Sequence, residues 1–120
     1  MRNVLNWFEI FVTDMARARA FYEKILEVKL QAEDFGGMPN CMFPQGEGSY
    51  GALVKHPRRA PNPEGALVYL NCNGRLDQAL GLVVKAGGEV VMPKLDIGDP
   101  GFIALVRDTE GNVVGLHSER

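Results

Sequence analysis

The first apolar segment of the chain alternates in a way that is typical of a β-strand. It spans residues 4–12 and is rich in β-branched and aromatic side chains. Because successive side chains of a strand point to opposite faces, alternate residues predict the two faces of one element. One face is wholly apolar (Phe8, Ile10, Val12), and the other carries a carboxylate (Trp7, Glu9, Phe11).

A helical period replaces the alternation directly after this strand. Asp14 fits the N-cap position, because its carboxylate can accept a hydrogen bond from a backbone N–H of the first turn. The apolar residues that follow recur at helical spacing and predict an amphipathic helix of about three turns. They are Met15, Ala18, Phe21, Tyr22, Ile25 and Leu26, with Arg17, Arg19, Glu23 and Lys24 on the opposite side.

The same order of elements then recurs in the second half of the chain. Glycine-containing turns separate the shorter strands, and Gly87-Gly88 ends a second helix by allowing a left-handed residue. That helix has an apolar stripe of Leu76, Ala79, Leu80 and Val83. The remaining predicted strands span residues 28–34, 40–43, 50–55, 66–72, 89–93, 102–106 and 112–117.

Each half is therefore predicted to be a βαβββ module, and the two modules form an internal repeat of about 60 residues. Residues 56–65 contain three prolines, which favour an extended connector. We expect one domain over residues 1–120, with module one at 1–56, the connector at 57–65 and module two at 66–120. The fold class is α+β, with the two modules shaping a cup-shaped, curved mixed sheet.

Composition and charge narrow the class of protein. Of 120 residues, 46% are apolar and 23% charged, and the net charge is −2. Nucleic-acid binders usually show a strongly basic face, so this balance argues against them. No run of about 18 apolar residues predicts a membrane span, and no long apolar segment of a secretory leader follows Met1. We therefore expect a cytoplasmic protein with no nucleic-acid or membrane partner.

The two cysteines, Cys41 and Cys72, lie in apolar stretches without metal-binding spacing. We expect two buried thiols, as is usual in a reducing compartment, although the sequence leaves a disulfide open.

Three motifs stand in order along the two modules. Residues 14–26 match D-x-x-x-A-x-x-F-Y-x-x-x-L, residues 85–88 read Lys-Ala-Gly-Gly at the end of the second helix, and residues 108–116 match D-x-x-G-N-x-x-x-L. Together they resemble the glyoxalase, bleomycin-resistance and extradiol-dioxygenase group, also called the vicinal oxygen chelate family, and in particular its glyoxalase-like members. The resemblance implies a cup built from two modules and a homodimer.

The resemblance also implies a divalent metal in the cup, held by the first and last strand of each module, that polarises adjacent substrate oxygens. The ligand positions of the family fall on Trp7, on Gly115, and on Val68 or Tyr69 in this chain. Such a site needs His, Glu, Asp or Gln, and residues 50–54 supply none. We therefore expect no metal ligands of the usual kind and no other cofactor.

Strand parity around these positions predicts what lines the cup instead. Glu9 is a candidate general base or hydrogen-bond acceptor, with His117 as its partner. The predicted substrate-binding residues are Trp7, Phe11, Tyr69, Asn71 and Val113, since a few polar groups among apolar walls are typical of a small-molecule site.

Structural roles remain open for these residues. Glu9 also fits a wet sheet face or a subunit interface, and His117 a half-exposed position near the C-terminus. Tyr69 and Asn71 also fit packing roles. His56 with Arg58 and Arg59 fits either an anion patch or a solvated connector.

Three functions are compatible with this pattern, and whether the protein is an enzyme stays open. The first is small-molecule binding in the cup, as in a metal-independent lyase or isomerase. The second is a metal-dependent lyase or dioxygenase with an offset ligand set. The third is a non-catalytic drug-binding resistance protein, although a net charge of −2 would attract a cationic drug only weakly.

Overall fold

Each half of the chain forms a strand, a helix and three further strands in a computed structural model that describes residues 4–120. Residues 1–3, with which module one is predicted to begin, lie outside the described residues. Module one contains β1 (Trp7–Phe11), α1 (Met15–Leu26), β2 (Gln31–Phe35), β3 (Met38–Met42) and β4 (Tyr50–Val54). Module two contains β5 (Tyr69–Asn71), α2 (Leu76–Val83), β6 (Glu89–Asp96), β7 (Phe102–Arg107) and β8 (Val113–Ser118).

The strand order is the same in both modules. It is β1-β4-β3-β2 in one sheet and β5-β8-β7-β6 in the other. The first strand of each module pairs in parallel with the last, and all other pairs are antiparallel. The predicted α+β fold with two βαβββ modules is therefore confirmed. Backbone pairing produces two four-stranded mixed sheets, one for each module.

Several strands differ in length from the prediction. The first is shorter than predicted, at Trp7–Phe11, and the strand that opens module two is only Tyr69–Asn71. The sixth strand is longer and continues through Pro93 to Asp96. Proline is tolerated there because β6 lies at the sheet edge and its register with β7 shifts between Met92 and Leu95.

Both helices pack their predicted stripes against one side of the sheets. Phe21, Tyr22 and Ile25 of α1 are at most 1% exposed. The backbone N–H of Arg17 donates to the Asp14 carboxylate at 3.1 Å, so the predicted N-cap is present. Gly87 adopts the predicted left-handed conformation after α2. The helix faces of the sheets thus hold the core and leave the opposite faces for a cup.

The two cysteines are free and buried, as predicted. Burial raises the pKa of both the Cys41 and Cys72 thiols. A raised pKa disfavours the nucleophilic thiolate, so both side chains act as small apolar core residues.

Candidate functional site

The cup face of module one follows from the pairing of β1 with β4. Trp7, Glu9 and Phe11 lie opposite Tyr50, Ala52 and Val54, so all six side chains share one face. The intervening Ile10 and Leu53 belong instead to the core cluster on the helix side. The Trp7 and Tyr50 rings meet edge to face with centroids 5.1 Å apart. Trp7 Nε1 donates a hydrogen bond to Glu9 Oε2 at 3.2 Å, which orients the carboxylate along the strand.

Module two places Tyr69 and Asn71 on the corresponding face, opposite Gly115 and His117 of β8. The Tyr69 ring lies directly over Gly115, where an added Cβ would be 2.2 Å from Tyr69 Cδ1. A side chain at position 115 would therefore displace the Tyr69 ring. Asn71 Oδ1 accepts a hydrogen bond from the backbone N–H of Asn73 at 2.8 Å, which is a turn contact next to the strand.

His117 makes a local contact of its own. Its Nε2 lies 2.7 Å from the carbonyl oxygen of Pro100. Because a carbonyl oxygen only accepts, Nε2 carries the proton in this hydrogen bond. Within residues 4–120 no hydrogen bond joins His117 to Glu9, which interacts with Trp7 instead.

A cavity of about 620 Å³ lies between the modules. Its walls come from β1, from the segment that enters β8, and from the connector. Three predicted site residues, Glu9, Phe11 and Val113, line it together. The other four, which are Trp7, Tyr69, Asn71 and His117, lie outside its lining. The structure therefore brings three of the seven predicted site residues into a cavity. It leaves the other four at the start of β1 and on the open cup face of module two.

The connector supplies the cavity residues that sequence reasoning did not choose, most notably Arg58 and Arg59. His56 lies beside Phe11 with ring centroids 5.9 Å apart, and the Arg59 guanidinium lies 6.0 Å from the centroid of the Phe11 ring. The pair of arginines was visible in the sequence, but no local pattern indicated that the connector turns back over the cup.

Asn112 holds the connector in this position. Its Nδ2 donates to the carbonyl oxygen of Phe11 at 2.8 Å, and its Oδ1 accepts from the backbone N–H of Asn62 at 2.8 Å. One buried side chain thus joins β1, the connector and the turn before β8. The asparagine of the D-x-x-G-N motif therefore has a positioning role at the base of the cavity.

Asp108 fixes the position of Asn112 by hydrogen bonds. Asp108 is only 3% exposed. Its carboxylate accepts hydrogen bonds from Tyr22 Oη at 2.7 Å and from the backbone N–H of Glu110 at 2.8 Å. It also accepts from the backbone N–H of Asn112 at 2.9 Å and from Asn112 Nδ2 at 3.0 Å. Burial, reinforced by the negative charge of Asp108, raises the pKa of Tyr22 well above its ordinary value. The tyrosine therefore stays a hydrogen-bond donor, and this contact links α1 to the last turn of module two.

Glu110 forms a second link between the modules. Its carboxylate accepts hydrogen bonds from the backbone N–H groups of Thr13 and Asp14 at 2.8 and 2.7 Å and from Arg17 Nε at 2.7 Å. Burial alone would raise the pKa of Glu110, but these donors and Thr109 outweigh it and lower the pKa to about 2. Glu110 thus reaches across the module boundary to the start of α1, where a negative charge is favoured.

The positions that would hold a metal in related proteins do not fit one here. Trp7 and Gly115 offer no ligand atom, and the ring of Tyr69 fills the space above Gly115. Among residues 4–120 no group of three or more His, Cys, Asp or Glu side chains is placed to bind a metal ion. We therefore derive no chemical step through a metal.

The sequence and the fold match a known class of protein. A family model described as Glyoxalase/Bleomycin resistance protein/Dioxygenase superfamily matches residues 4–116. The chain therefore belongs to this superfamily, which confirms the resemblance.

One curated relative is similar over most of this chain but over less than half of its own length. The chain is 31% identical over 124 residues to "Putative glyoxylase CFP32" of Mycobacterium tuberculosis, a match that covers 92% of this chain and 44% of that protein. The chain thus spans less than half the length of the curated relatives it matches.

Two solved structures illustrate the similarity in fold. A glyoxalase/bleomycin resistance protein from Albidiferax ferrireducens T118 has a TM-score of 0.76 at 14% identity, covering 98% of this chain and 100% of that one. TnmS3, an antibiotic binding protein from Streptomyces sp. CB03234, has a TM-score of 0.68 at 25% identity, covering 98% of this chain and 97% of that one.

Within the described residues no helix is both long and apolar enough to cross a membrane.

Proposed function

We propose that this protein binds a small organic molecule in the cavity between its modules, without a metal ion. The observation that carries this proposal is the cavity itself, because its volume of about 620 Å³ lies within the range of small-molecule sites. Phe11, Val68 and Val113 offer apolar surface to the body of a ligand, and Glu9 offers a hydrogen-bond acceptor.

Binding is better supported than catalysis by the arrangement of polar groups. A lyase or isomerase reaction would need a base and a partner acid that reach the same ligand. Glu9 lines the cavity and would take the role of base, but His117 lies outside the lining and bonds to Pro100. We therefore propose Glu9 as the residue that orients the ligand and place no proton transfer on His117.

A drug-binding role is the second candidate. It is favoured by one observation, the likeness over nearly the whole chain to TnmS3, which is described as an antibiotic binding protein. Such a protein would hold its ligand unchanged, which agrees with a cavity in which Glu9 lies beside the apolar side chains of Phe11 and Val113.

Filling the cavity should abolish binding. We expect fragments that bind the wild-type protein in ligand-observed NMR to lose their binding signal with Val113→Trp, because the indole would occupy the space next to Phe11.

Glu9→Gln should weaken the affinity for fragments that carry a hydrogen-bond donor by about tenfold, since bonds to a charged acceptor are worth about 1.5–3 kcal/mol.

The matched control is Glu47→Gln, a carboxylate in an exposed loop away from the cavity. Its affinities should equal those of the wild type, and a melting curve should show that each variant is folded. Fragments that still bind to a folded Val113→Trp protein, or to Val68→Trp, would place the ligand elsewhere and overturn the proposal.

We further propose the homodimer and the cytoplasmic location that the sequence predicts. Three apolar side chains on or just after β6 support an interface, since Val91, Leu95 and Ile97 are 43%, 47% and 37% exposed.

Leu95→Asp should convert the dimer to a monomer in sedimentation velocity. Val84→Asp, at a 70% exposed residue next to α2, is the control and should leave the mass unchanged. A wild-type monomer would contradict the dimer.

A further inference from the structure

The two arginines of the connector differ from every other arginine in residues 4–120. Arg58 and Arg59 form no ion pair within this part of the chain, and both line the cavity. The remaining five each lie within 4.0 Å of a carboxylate, and they are Arg17, Arg19, Arg75, Arg107 and Arg120. The unpaired guanidinium groups are therefore concentrated at the proposed binding site.

Contacts with Phe11 of β1 position the connector turn that carries this pair. The Arg59 guanidinium lies over the Phe11 ring, with 6.0 Å between its central carbon and the ring centroid. Such a cation–π contact favours one position of a side chain that would otherwise move freely. The backbone N–H of Arg58 donates to His56 Nδ1 at 3.0 Å, and His56 itself packs edge to face on Phe11. The connector turn is thus fixed on the same aromatic ring from two sides.

The two acidic residues of the cavity form no ion pairs with these arginines. Glu9 and Glu64 line the same space, but neither forms an ion pair with Arg58 or Arg59 in residues 4–120. Glu9 accepts a hydrogen bond from Trp7, and Glu64 lies on the connector beyond Asn62. Both arginines therefore line the cavity without a side-chain acceptor in residues 4–120, which is the arrangement that an anionic ligand group would complete.

We propose that Arg58 and Arg59 form an anion subsite that binds the carboxylate of a small organic acid. This inference rests on the proposed function, because it names the class of ligand for the same cavity. A guanidinium group matches the planar carboxylate with two parallel hydrogen bonds. Glu9 and Glu64 balance the two arginines in formal charge, so the preference for an anion would come from direct hydrogen bonds to the guanidinium groups.

The spacing along β1 sets the shape of the ligand. Glu9 and Phe11 are two positions apart on one face, which corresponds to about 6.6 Å. The ligand carboxylate would lie near Phe11 under Arg59, the apolar body would lie against Val113, and a hydrogen-bond donor would reach Glu9.

A matched pair of probes tests this subsite by calorimetric titration. Naphthoate and its methyl ester have the same ring system, and the ester carries neither the charge nor a hydrogen-bond donor for Glu9. We expect the wild-type protein to bind naphthoate about tenfold more tightly than the ester, as charge-assisted hydrogen bonds favour. The double variant Arg58→Ala/Arg59→Ala should lose this preference, with an unchanged affinity for the ester. Added salt should weaken only the binding of naphthoate.

Lys55→Ala provides the matched control, since Lys55 is an exposed cation between β4 and the connector and lies outside the cavity lining. It should keep the preference for naphthoate. Equal affinities of the wild type for the two probes, or a preference that survives in the double variant, would overturn the anion subsite alone. If neither probe binds at millimolar concentration, both the subsite and the cavity function are refuted for this ligand class.

Discussion

Replacing Asp108 with alanine should lower the free energy of unfolding by about 3–5 kcal/mol, because the change removes one buried carboxylate and leaves its hydrogen-bond donors without a partner. Asp108 is 3% exposed and accepts from the hydroxyl of Tyr22, the amide of Asn112 and two backbone N–H groups. The loss would be a large part of the total stability of a small domain. Urea denaturation followed by circular dichroism measures it.

The matched control is Asp99→Ala, because Asp99 is exposed in a turn. It should change the unfolding free energy by less than about 0.5 kcal/mol. Tyr22→Phe removes only one donor and should cost about 1–2 kcal/mol. An Asp108→Ala protein within about 1 kcal/mol of the wild type would contradict the assigned role of this network.

Glu110→Gln should remove much of the resistance of the fold to acid. The pKa of Glu110 is lowered from 4.5 to about 2, so the ionised group stabilises the folded state at neutral pH. This contribution is present above about pH 5 and is lost as the pH falls toward about 2. The variant should be less stable than the wild type by about 2–3 kcal/mol at pH 7, a figure discounted because Arg17 is half exposed.

The difference between the two proteins should therefore shrink as the pH falls and vanish near pH 2, which urea titrations at several pH values would show. Glu47→Gln, in an exposed loop, should follow the wild-type curve throughout. A constant difference between Glu110→Gln and the wild type from pH 7 to pH 2 would mean that the stabilisation does not come from the charge.

These two carboxylates also connect stability to the proposed function. Asp108 holds Asn112, and Asn112 in turn holds both Phe11 and the connector that carries Arg58 and Arg59. A loosened network should therefore weaken ligand binding as well as the fold. The motif that marks the family is, in this chain, the support of the cavity wall.

Local periodicity was sufficient for the secondary structure because it is a property of neighbouring residues. The stripe of α1 predicted its buried face, with Ala18, Phe21, Tyr22 and Ile25 buried in the structure. Strand ends were less predictable, since they depend on pairing with other strands. Pro93 shows this, because only the bulged edge position of β6 lets the strand continue through it.

The periodicity of the sequence predicted only part of the candidate site. Alternation along β1 was enough to place Glu9 and Phe11 on one face, and both line the cavity. The expected partnership of Glu9 with His117 depended on how two modules sit together. In the structure each side chain has a nearer partner, Trp7 for Glu9 and the carbonyl of Pro100 for His117.

The sequence by itself determined two βαβββ modules, the faces of their strands and helices, and membership of the family, because each of these follows from short-range patterns or ordered motifs. Only the tertiary structure decided which residues share the cavity. Asn62 and Asn112 meet across 50 positions of chain, and this contact ties down the connector, whose Arg59 lies over Phe11. Such long-range contacts depend on the packing of the whole domain, and no local period of the sequence records them.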